Sequence, residues 1–123
     1  MSDGAHPHHG FDYIEIAATD MAASRAFYAA AFGWQFTEYA PVYLGIQRPG
    51  GGEMGGLCKA EDERVGGGGP LVILYSADLD ATLAAVQRAG GLIVKPIFDF
   101  PGGRRFHFVD PCGNELAVWT KAG

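Results

Sequence analysis

The chain has 123 residues, of which 48% are hydrophobic, and it contains 19 glycines, 2 Trp, 5 Tyr and 8 Phe. This length allows one domain, or two small halves that share a core, and the apolar and aromatic content excludes a disordered chain. The formal net charge of −5 argues against nucleic acid and anionic lipid as partners. No apolar run approaches the length of a membrane span, so we expect no membrane partner.

Cysteine usage and the N-terminus bear on location. Cys58 and Cys112 form neither a disulfide framework nor a CxxC pair. The first ten residues lack the charged and apolar regions of a signal peptide. We therefore predict a reduced, cytoplasmic protein. Residues 1–10, which contain His6, His8 and His9, are predicted to be a flexible terminus rather than a metal site.

The first half of the chain predicts a strand, a helix and three strands. Residues 11–18 alternate between apolar and polar side chains, which is typical of a strand. Asp20 is a good N-cap for an alanine-rich helix over 21–32, and Gly33 suits its C-terminus. Strands are predicted over 34–39, 42–47 and 53–59.

The second half repeats this order. A strand over 71–76 precedes a helix that is capped by Asp78 or Asp80 and ended by Gly90. A strand over 92–95 is predicted to end at Pro96, with a loop over 98–103. Strands follow over 104–109 and 114–119, and the turn between them has proline second and glycine last.

These elements predict an α+β fold of two βαβββ modules in a curled mixed sheet around a cleft. The modules span 11–62 and 70–123, a glycine-rich linker covers 63–69, and together they form one structural domain. One face of each sheet is aliphatic and packs on a helix. The other face is polar and aromatic, which is typical either of a ligand-lined cleft or of an ordinary solvated sheet. It carries Tyr13, Glu15, Tyr43, Gln47, Arg105, His107, Glu115 and Trp119.

The order and spacing of several segments, including residues 13–16, 26–28, 32–34 and 106–116, resemble the vicinal oxygen chelate superfamily. That family contains glyoxalase I, bleomycin-resistance proteins and extradiol dioxygenases. The resemblance covers nearly the whole chain. It implies paired βαβββ modules around a cleft and a homodimer, whose modules pair either within one chain or between two chains.

The family's metalloenzymes hold a divalent ion with His and Glu side chains at four positions. The resemblance places Tyr13, Gly55 or Gly56, Leu71 or Val72, and Ala117 there. Tyrosine is a poor ligand at neutral pH, and the Gly55–Gly56 pair leaves space where a ligand would stand. We therefore expect no metal and no other cofactor. A rebuilt site of Glu15, His107 and Glu115 stays open as a disfavoured alternative.

Three functions remain open. The first is a small-molecule binding protein without the usual metal, with an aromatic or polar ligand in the cleft. The second is a glyoxalase-like lyase, isomerase or dioxygenase that uses a rebuilt metal site, or Glu15 and His107 as acid and base. The alternative for Glu15 is that it is a structural partner of Arg104, Arg105 or a backbone amide. The alternative for His107 is that it is a hydrogen-bonded side chain on the sheet face. The third is a homodimeric interaction module with no ligand.

Overall fold

The computed structural model describes residues 8–9, 11–60 and 70–122. The predicted linker and, apart from His8 and His9, the predicted flexible terminus lie outside this part of the chain. The elements, in chain order, are β1 (Ile14–Ala18), α1 (Met21–Phe32), β2 (Phe36–Ala40), β3 (Tyr43–Gln47), β4 (Glu53–Lys59), β5 (Val72–Tyr75), α2 (Leu79–Arg88), β6 (Leu92–Phe100), β7 (Gly103–Val109) and β8 (Glu115–Lys121).

The strands form two mixed sheets of four. Sheet 1 has the order β1-β4-β3-β2, and sheet 2 has the equivalent order β5-β8-β7-β6. In each sheet the first strand of the module runs parallel to the last one, and the other neighbours are antiparallel. The α+β fold with a repeated βαβββ order is therefore confirmed.

Both helices begin and end where their caps predict. The Asp20 carboxylate accepts the Ala23 N–H at 3.0 Å. Gly33 ends α1 in the left-handed conformation, with φ 72°, where a side chain would be strained. Of the two candidate caps for α2, Asp78 is the one used, and it accepts the Ala81 N–H at 3.1 Å.

Strand β6 corrects one prediction. It continues through Pro96 to Phe100, so the expected strand end at Pro96 and the expected loop over 98–103 are both wrong. β6 lies at the edge of sheet 2, where proline is tolerated at outward-facing N–H positions and at bulges. The register shifts between Ile93 and Lys95 and again between Lys95 and Phe98, which absorbs the irregularity.

One hydrophobic core joins the modules. Inward residues of both sheets, such as Leu57 and Phe106, belong to the same buried cluster as residues of both helices, such as Phe27 and Val86. The Phe27 and Phe108 ring centroids lie 5.8 Å apart, so α1 packs against the second module as well as its own. The polar faces of both sheets are consequently directed away from this core.

The turn between β7 and β8 links the modules through polar contacts. The buried carboxylate of Asp110 accepts the Tyr28 hydroxyl at 2.8 Å. Asn114 Nδ2 donates to the Ala17 backbone oxygen at 2.6 Å. The Cys112 sulfur lies 3.2 Å from the Ser24 hydroxyl, at the start of α1. This turn therefore reaches from the second module onto β1 and α1 of the first.

No helix in the described part of the chain is long and apolar enough to cross a membrane.

Candidate functional site

The outward face of sheet 1 carries a hydrogen-bonded group of three tyrosines and two glutamates, which we call the tyrosine–glutamate cluster: Tyr13, Glu15, Tyr39, Tyr43 and Glu53. The hydroxyls of Tyr13 and Tyr43 lie 2.6 Å apart. Tyr43 donates to Glu15 at 3.1 Å, and Tyr13 donates to Glu53 at 3.2 Å. Tyr39 also donates to Glu53. Two carboxylates are thus linked by phenols from two strands, β2 and β3, and from the residue before β1.

Glycines beneath the cluster allow the side chains to lie close to the sheet. A Cβ on Gly56 would collide with the Tyr43 hydroxyl, and one on Gly45 would collide with the side chains of Glu53 and Tyr39. These two glycines are register partners in β3 and β4. The space expected at Gly56 is therefore occupied by a tyrosine of this chain.

The cluster contains fewer hydroxyl protons than short contacts. Three phenolic protons serve four contacts, namely one phenol–phenol pair and three phenol–carboxylate pairs. Because each phenol has a single proton, at least one contact lacks a hydrogen at any moment. A further donor placed over the cluster would satisfy the oxygen that is left without one.

Electrostatics keep the phenols protonated. Partial burial and the neighbouring glutamates raise the pKa of Tyr13 above its ordinary value, against a smaller lowering by the Tyr43 hydroxyl. Burial, together with the hydrogen bonds to Tyr13 and Glu15, raises the pKa of Tyr43 further. Among the described residues neither Glu15 nor Glu53 forms an ion pair. The cluster is therefore an aromatic surface with two carboxylates that no cationic side chain of the described residues neutralises.

The outward face of sheet 2 contains a histidine–glutamate pair. His107 Nδ1 lies 2.9 Å from Glu115 Oε2. His107 is only 3% exposed, and its Nε2 atom is buried without a hydrogen-bond partner among the described residues. When Nδ1 donates to the carboxylate, the neutral ring presents an unshared electron pair at Nε2. The pair has the arrangement of a base that is oriented by a carboxylate.

Aromatic side chains cover the rest of that face. The Arg105 guanidinium lies over the rings of Phe98 and Phe100, 5.3 and 5.4 Å from their centroids. Trp119 packs edge-on against Tyr75 at 5.1 Å, next to Arg105 in the register. Arg105 Nε is buried and, within the described residues, has no hydrogen-bond partner. This face is thus filled by its own side chains rather than open as a deep cavity.

The residues singled out in the sequence fall into separate groups. Glu15 contacts Tyr43 in sheet 1, whereas His107 contacts Glu115 in sheet 2. Gln47 donates to the Thr37 hydroxyl at 3.2 Å, beside the cluster. The proposed arginine partners of Glu15 do not contact it, because Arg104 pairs with Asp80 and Arg105 packs on phenylalanines.

Tyr39 and Glu53 belong to the cluster, but the sequence pattern did not predict them as site residues. A register shift between Ile46 and Gln47 brings Glu53 of β4 alongside β3, and alternation alone does not reveal such a shift. The usable signal was the pair of glycines in neighbouring strands, since Gly45 and Gly56 have room only for side chains that reach across them.

The family's metal positions do not fit an ion in this chain. Tyr13 is committed to Tyr43 and Glu53, the glycines supply no donor, and Ala117 is buried and apolar. No three His, Cys, Asp or Glu side chains within the described ranges are grouped to hold a metal. No chemical step through a metal is derived for these residues.

Comparison with known proteins places the chain among related sequences and folds. Residues 10–118 match the family model of the Glyoxalase/Bleomycin resistance protein/Dioxygenase superfamily. The protein of Mycobacterium bovis named "Putative glyoxylase CFP32" is 29% identical over 122 residues, which cover 88% of this chain and 44% of that protein. The chain thus spans less than half the length of the curated relatives that it matches.

Two solved structures illustrate the likeness in fold. A glyoxalase/bleomycin resistance protein/dioxygenase family enzyme from Burkholderia phytofirmans PsJN has a TM-score of 0.74 at 20% identity, covering 89% of this chain and 96% of that one. TnmS3, an antibiotic binding protein from Streptomyces sp. CB03234, has a TM-score of 0.68 at 20% identity, covering 89% and 93%. At this identity the likeness concerns the fold alone.

Proposed function

Because the chain belongs to the Glyoxalase/Bleomycin resistance protein/Dioxygenase superfamily, we propose that it binds a small organic cation at the tyrosine–glutamate cluster, without a metal ion. The observation that carries the proposal is the presence, among three phenol rings, of two carboxylates, Glu15 and Glu53, that form no ion pair with any residue the structure describes. The printed description of TnmS3 as an antibiotic binding protein supports small-molecule binding as a use of this fold. We also propose that the protein is cytoplasmic.

A cation suits this surface for two physical reasons. An ammonium group over phenol rings gains about 0.5–1 kcal/mol at an exposed site and more when water is excluded. A charge about 4 Å from a carboxylate gains roughly 1 kcal/mol in water and several times that in a shielded site. Arg48 does not fill this role, because its guanidinium donates to the backbone oxygens of Asp12 and Glu53 at 3.3 Å.

We propose that a second copy of the chain supplies the opposite wall of the cleft. Both polar sheet faces are directed away from the common core, so one chain does not bring them together. The face of sheet 1 carries Glu15 and Glu53, while the face of sheet 2 carries Arg105 and exposed apolar residues, including Ile73 and Tyr75. The carboxylates of sheet 1 on one copy and Arg105 of sheet 2 on the other are complementary charges, while Glu115 on the sheet 2 face is paired with His107.

Calorimetry with benzyltrimethylammonium tests the ligand. We expect binding that is about tenfold weaker in Glu15→Gln and in Glu53→Gln, a loss typical of one charged contact. Glu38→Gln is the matched control, because this exposed glutamate pairs with Arg25 on another surface and the variant changes the net charge equally. Benzyl alcohol, which carries no charge, should bind to the parent and to each variant with the same affinity. Equal affinity of the parent for both probes would contradict the proposal.

The quaternary structure has its own test. Sedimentation equilibrium should show a dimer that Arg105→Glu weakens, and adding Glu15→Arg to that variant should restore part of the association. A chain that stays monomeric at all concentrations would refute the proposal that a second copy forms the opposite wall of the cleft. It would not affect the test of cation binding.

A metal-free enzyme is the second candidate, favoured by the His107–Glu115 pair. Glu115 orients the ring, and His107 Nε2 is then a base for proton abstraction. His107 Nε2 is buried, so neighbouring side chains, among them Phe98 with its ring centroid 5.8 Å from that of His107, surround the nitrogen that a substrate would have to reach. Isomerisation of a hemithioacetal of methylglyoxal, lost in His107→Asn and in Glu115→Gln, would support this candidate. Absence of turnover in the parent would leave the binding function alone.

A further inference from the structure

The two modules meet at two equivalent junctions, and only one of them is filled. Asp20 and Asp78 cap the helices, and Ser24 and Thr82 follow at the same distance from each cap. The turns before the last strand of each module, residues 48–52 and 110–114, share one hydrogen-bond pattern. Arg48 N donates to Gly52 O at 2.8 Å, as Asp110 N does to Asn114 O. The second bond of each turn, from Gly51 N to Arg48 O and from Gly113 N to Asp110 O, measures 3.0 Å.

The side chains of these turns differ at two positions. In residues 110–114, Cys112 contacts Ser24 and Asn114 contacts the backbone of β1. The corresponding positions of residues 48–52 are Gly50 and Gly52, which have no side chain to place against Thr82 or β5. The counterpart of Tyr28 on α2 is the smaller Val86.

A cavity of about 450 Å³ occupies the second junction. Its walls come from both modules and are mainly apolar, with Ile14 and Ile16 of β1, Phe32 at the end of α1 and Trp34 beyond it, and Val72 and Leu74 of β5. Ser76, Thr82 and Tyr75 are the lining residues that carry a hydroxyl, and the ring of Tyr75 packs against Trp119. Apolar clefts of this size with a few polar groups are typical of small-molecule sites.

The hydroxyl pair supplies one donor to this cavity. Ser76 Oγ and Thr82 Oγ1 lie 2.7 Å apart, and Ser76 Oγ also accepts the Asp78 N–H at 3.0 Å. Two hydroxyl protons are available and the pair uses one, so the other has no acceptor in the described part of the chain. Ser76 is only 9% exposed, so water does not freely satisfy this proton.

We propose that this cavity is a second binding site, distinct from the tyrosine–glutamate cluster, for a flat, uncharged aromatic molecule with one hydrogen-bond acceptor. The apolar walls take the ring system, and the spare hydroxyl proton of the Ser76–Thr82 pair donates to the acceptor. The described part of the lining has no acidic side chain, so it favours an uncharged ligand over a cation. The glycines of residues 48–52 leave open the space that Cys112 and Asn114 fill at the equivalent junction.

The naphthalene ketone prodan is a suitable probe, since its emission shifts to the blue in apolar surroundings and its carbonyl is an acceptor. The full-length parent should bind it with a blue shift. Leu74→Trp places a larger side chain in the cavity and should weaken binding at least about tenfold. Gln87→Trp is the matched control, because this exposed residue of α2 does not line the cavity and its replacement should leave binding unchanged.

The hydroxyl contribution needs a double variant, because either hydroxyl alone retains a proton. Ser76→Ala/Thr82→Val should weaken prodan binding about fivefold, the value of one neutral hydrogen bond. The same variant should leave dimethylaminonaphthalene, which lacks the ketone, unaffected. An equal loss for both probes would show that the hydroxyls do not select an acceptor and would overturn that part of the proposal.

Two measurements guard against misfolding and against confusion with the other site. Near-ultraviolet circular dichroism checks the fold of Leu74→Trp, and Ile14→Trp, which fills the cavity from the exposed end of β1, gives an independent second variant. Benzyltrimethylammonium binding should persist in both variants, while prodan binding should persist in Glu53→Gln. No binding of prodan to the parent, or parent-like binding in both folded tryptophan variants, would overturn the site.

Discussion

The hydroxyl of Tyr28 lies 2.8 Å from Oδ2 of Asp110, although 82 residues separate them in the chain. Both side chains are buried, and the same carboxylate accepts the backbone N–H groups of Cys112 and Asn114 at 2.9 Å. One carboxylate therefore shapes the β7–β8 turn and attaches it to α1. Burial and the neighbouring Asp110 raise the pKa of Tyr28, so this hydroxyl stays a donor.

Tyr28→Phe should lower the free energy of unfolding by about 1.5–3 kcal/mol, the range for a hydrogen bond to a charged group. Asp110→Ala should cost more, because it leaves several buried donors without an acceptor. Urea denaturation measures both, and Tyr75→Phe, at a half-exposed tyrosine, is the control, expected within about 0.5 kcal/mol of the parent. A Tyr28→Phe variant as stable as that control would show that the bond contributes nothing.

Cys112 should react as a thiol of lowered pKa. Partial burial opposes the shift, but hydrogen bonds from the Ser24 hydroxyl and from the backbone of Asp20 and Thr19 outweigh it. The rate of alkylation by iodoacetamide, followed against pH in a Cys58→Ala background, should give a pKa below the ordinary 9.0. Ser24→Ala should move that pKa upward. An unchanged profile in Ser24→Ala would contradict the assigned cause.

The lowered pKa of Cys112 makes the free energy of unfolding depend on pH. Because the pKa of the Cys112 thiol is lower in the folded state, the thiolate's contribution to stability is present above the unfolded pKa and is lost as the pH falls through the folded one. Cys112→Ala should therefore differ from the parent more at alkaline than at neutral pH. Denaturation at both pH values distinguishes this from a constant packing effect.

The tyrosine–glutamate cluster should lose stability in alkali. The pKa values of Tyr13 and Tyr43 are raised in the folded chain, so their contribution is full below the unfolded value of about 10 and is lost as the pH rises beyond it. We expect a smaller alkaline loss in Tyr43→Phe than in the parent, measured by urea denaturation above pH 10. An identical pH profile in Tyr43→Phe would show that its phenol is not coupled to folding.

Gly56→Ala should separate the cluster from the rest of the fold. The added methyl group would displace the Tyr43 ring, which is the end of a flexible side chain, so we expect lost cation binding with a small change in stability. Gly33→Ala should instead lower the stability and leave cation binding intact, because Gly33 has φ 72° and open space around it. That variant should cost about 1 kcal/mol and bind normally. Calorimetry and denaturation on both variants test the contrast.

The sequence predicted most of the fold because its local signals agree with one another. Asp20 and Gly33 bound α1, and alternation assigned the strand faces on which Glu15 and His107 lie. The length of β6 was predicted wrongly because a proline ends a strand only where its missing N–H is needed in the ladder. Whether it is needed depends on which strand lies at the edge of the sheet. Likewise, Glu53 joins the cluster through a register shift that depends on strand pairing and not on local pattern.

Pro96 also affects what can join the molecule. An exposed strand edge offers unpaired N–H and C=O groups on which another chain can align, and proteins protect such edges with prolines and irregular register. β6 has both protections in the middle of its length. A further strand cannot form an unbroken ladder along this side of sheet 2. Pro96, at which the strand was wrongly predicted to end, thus hinders a neighbouring chain from pairing with β6.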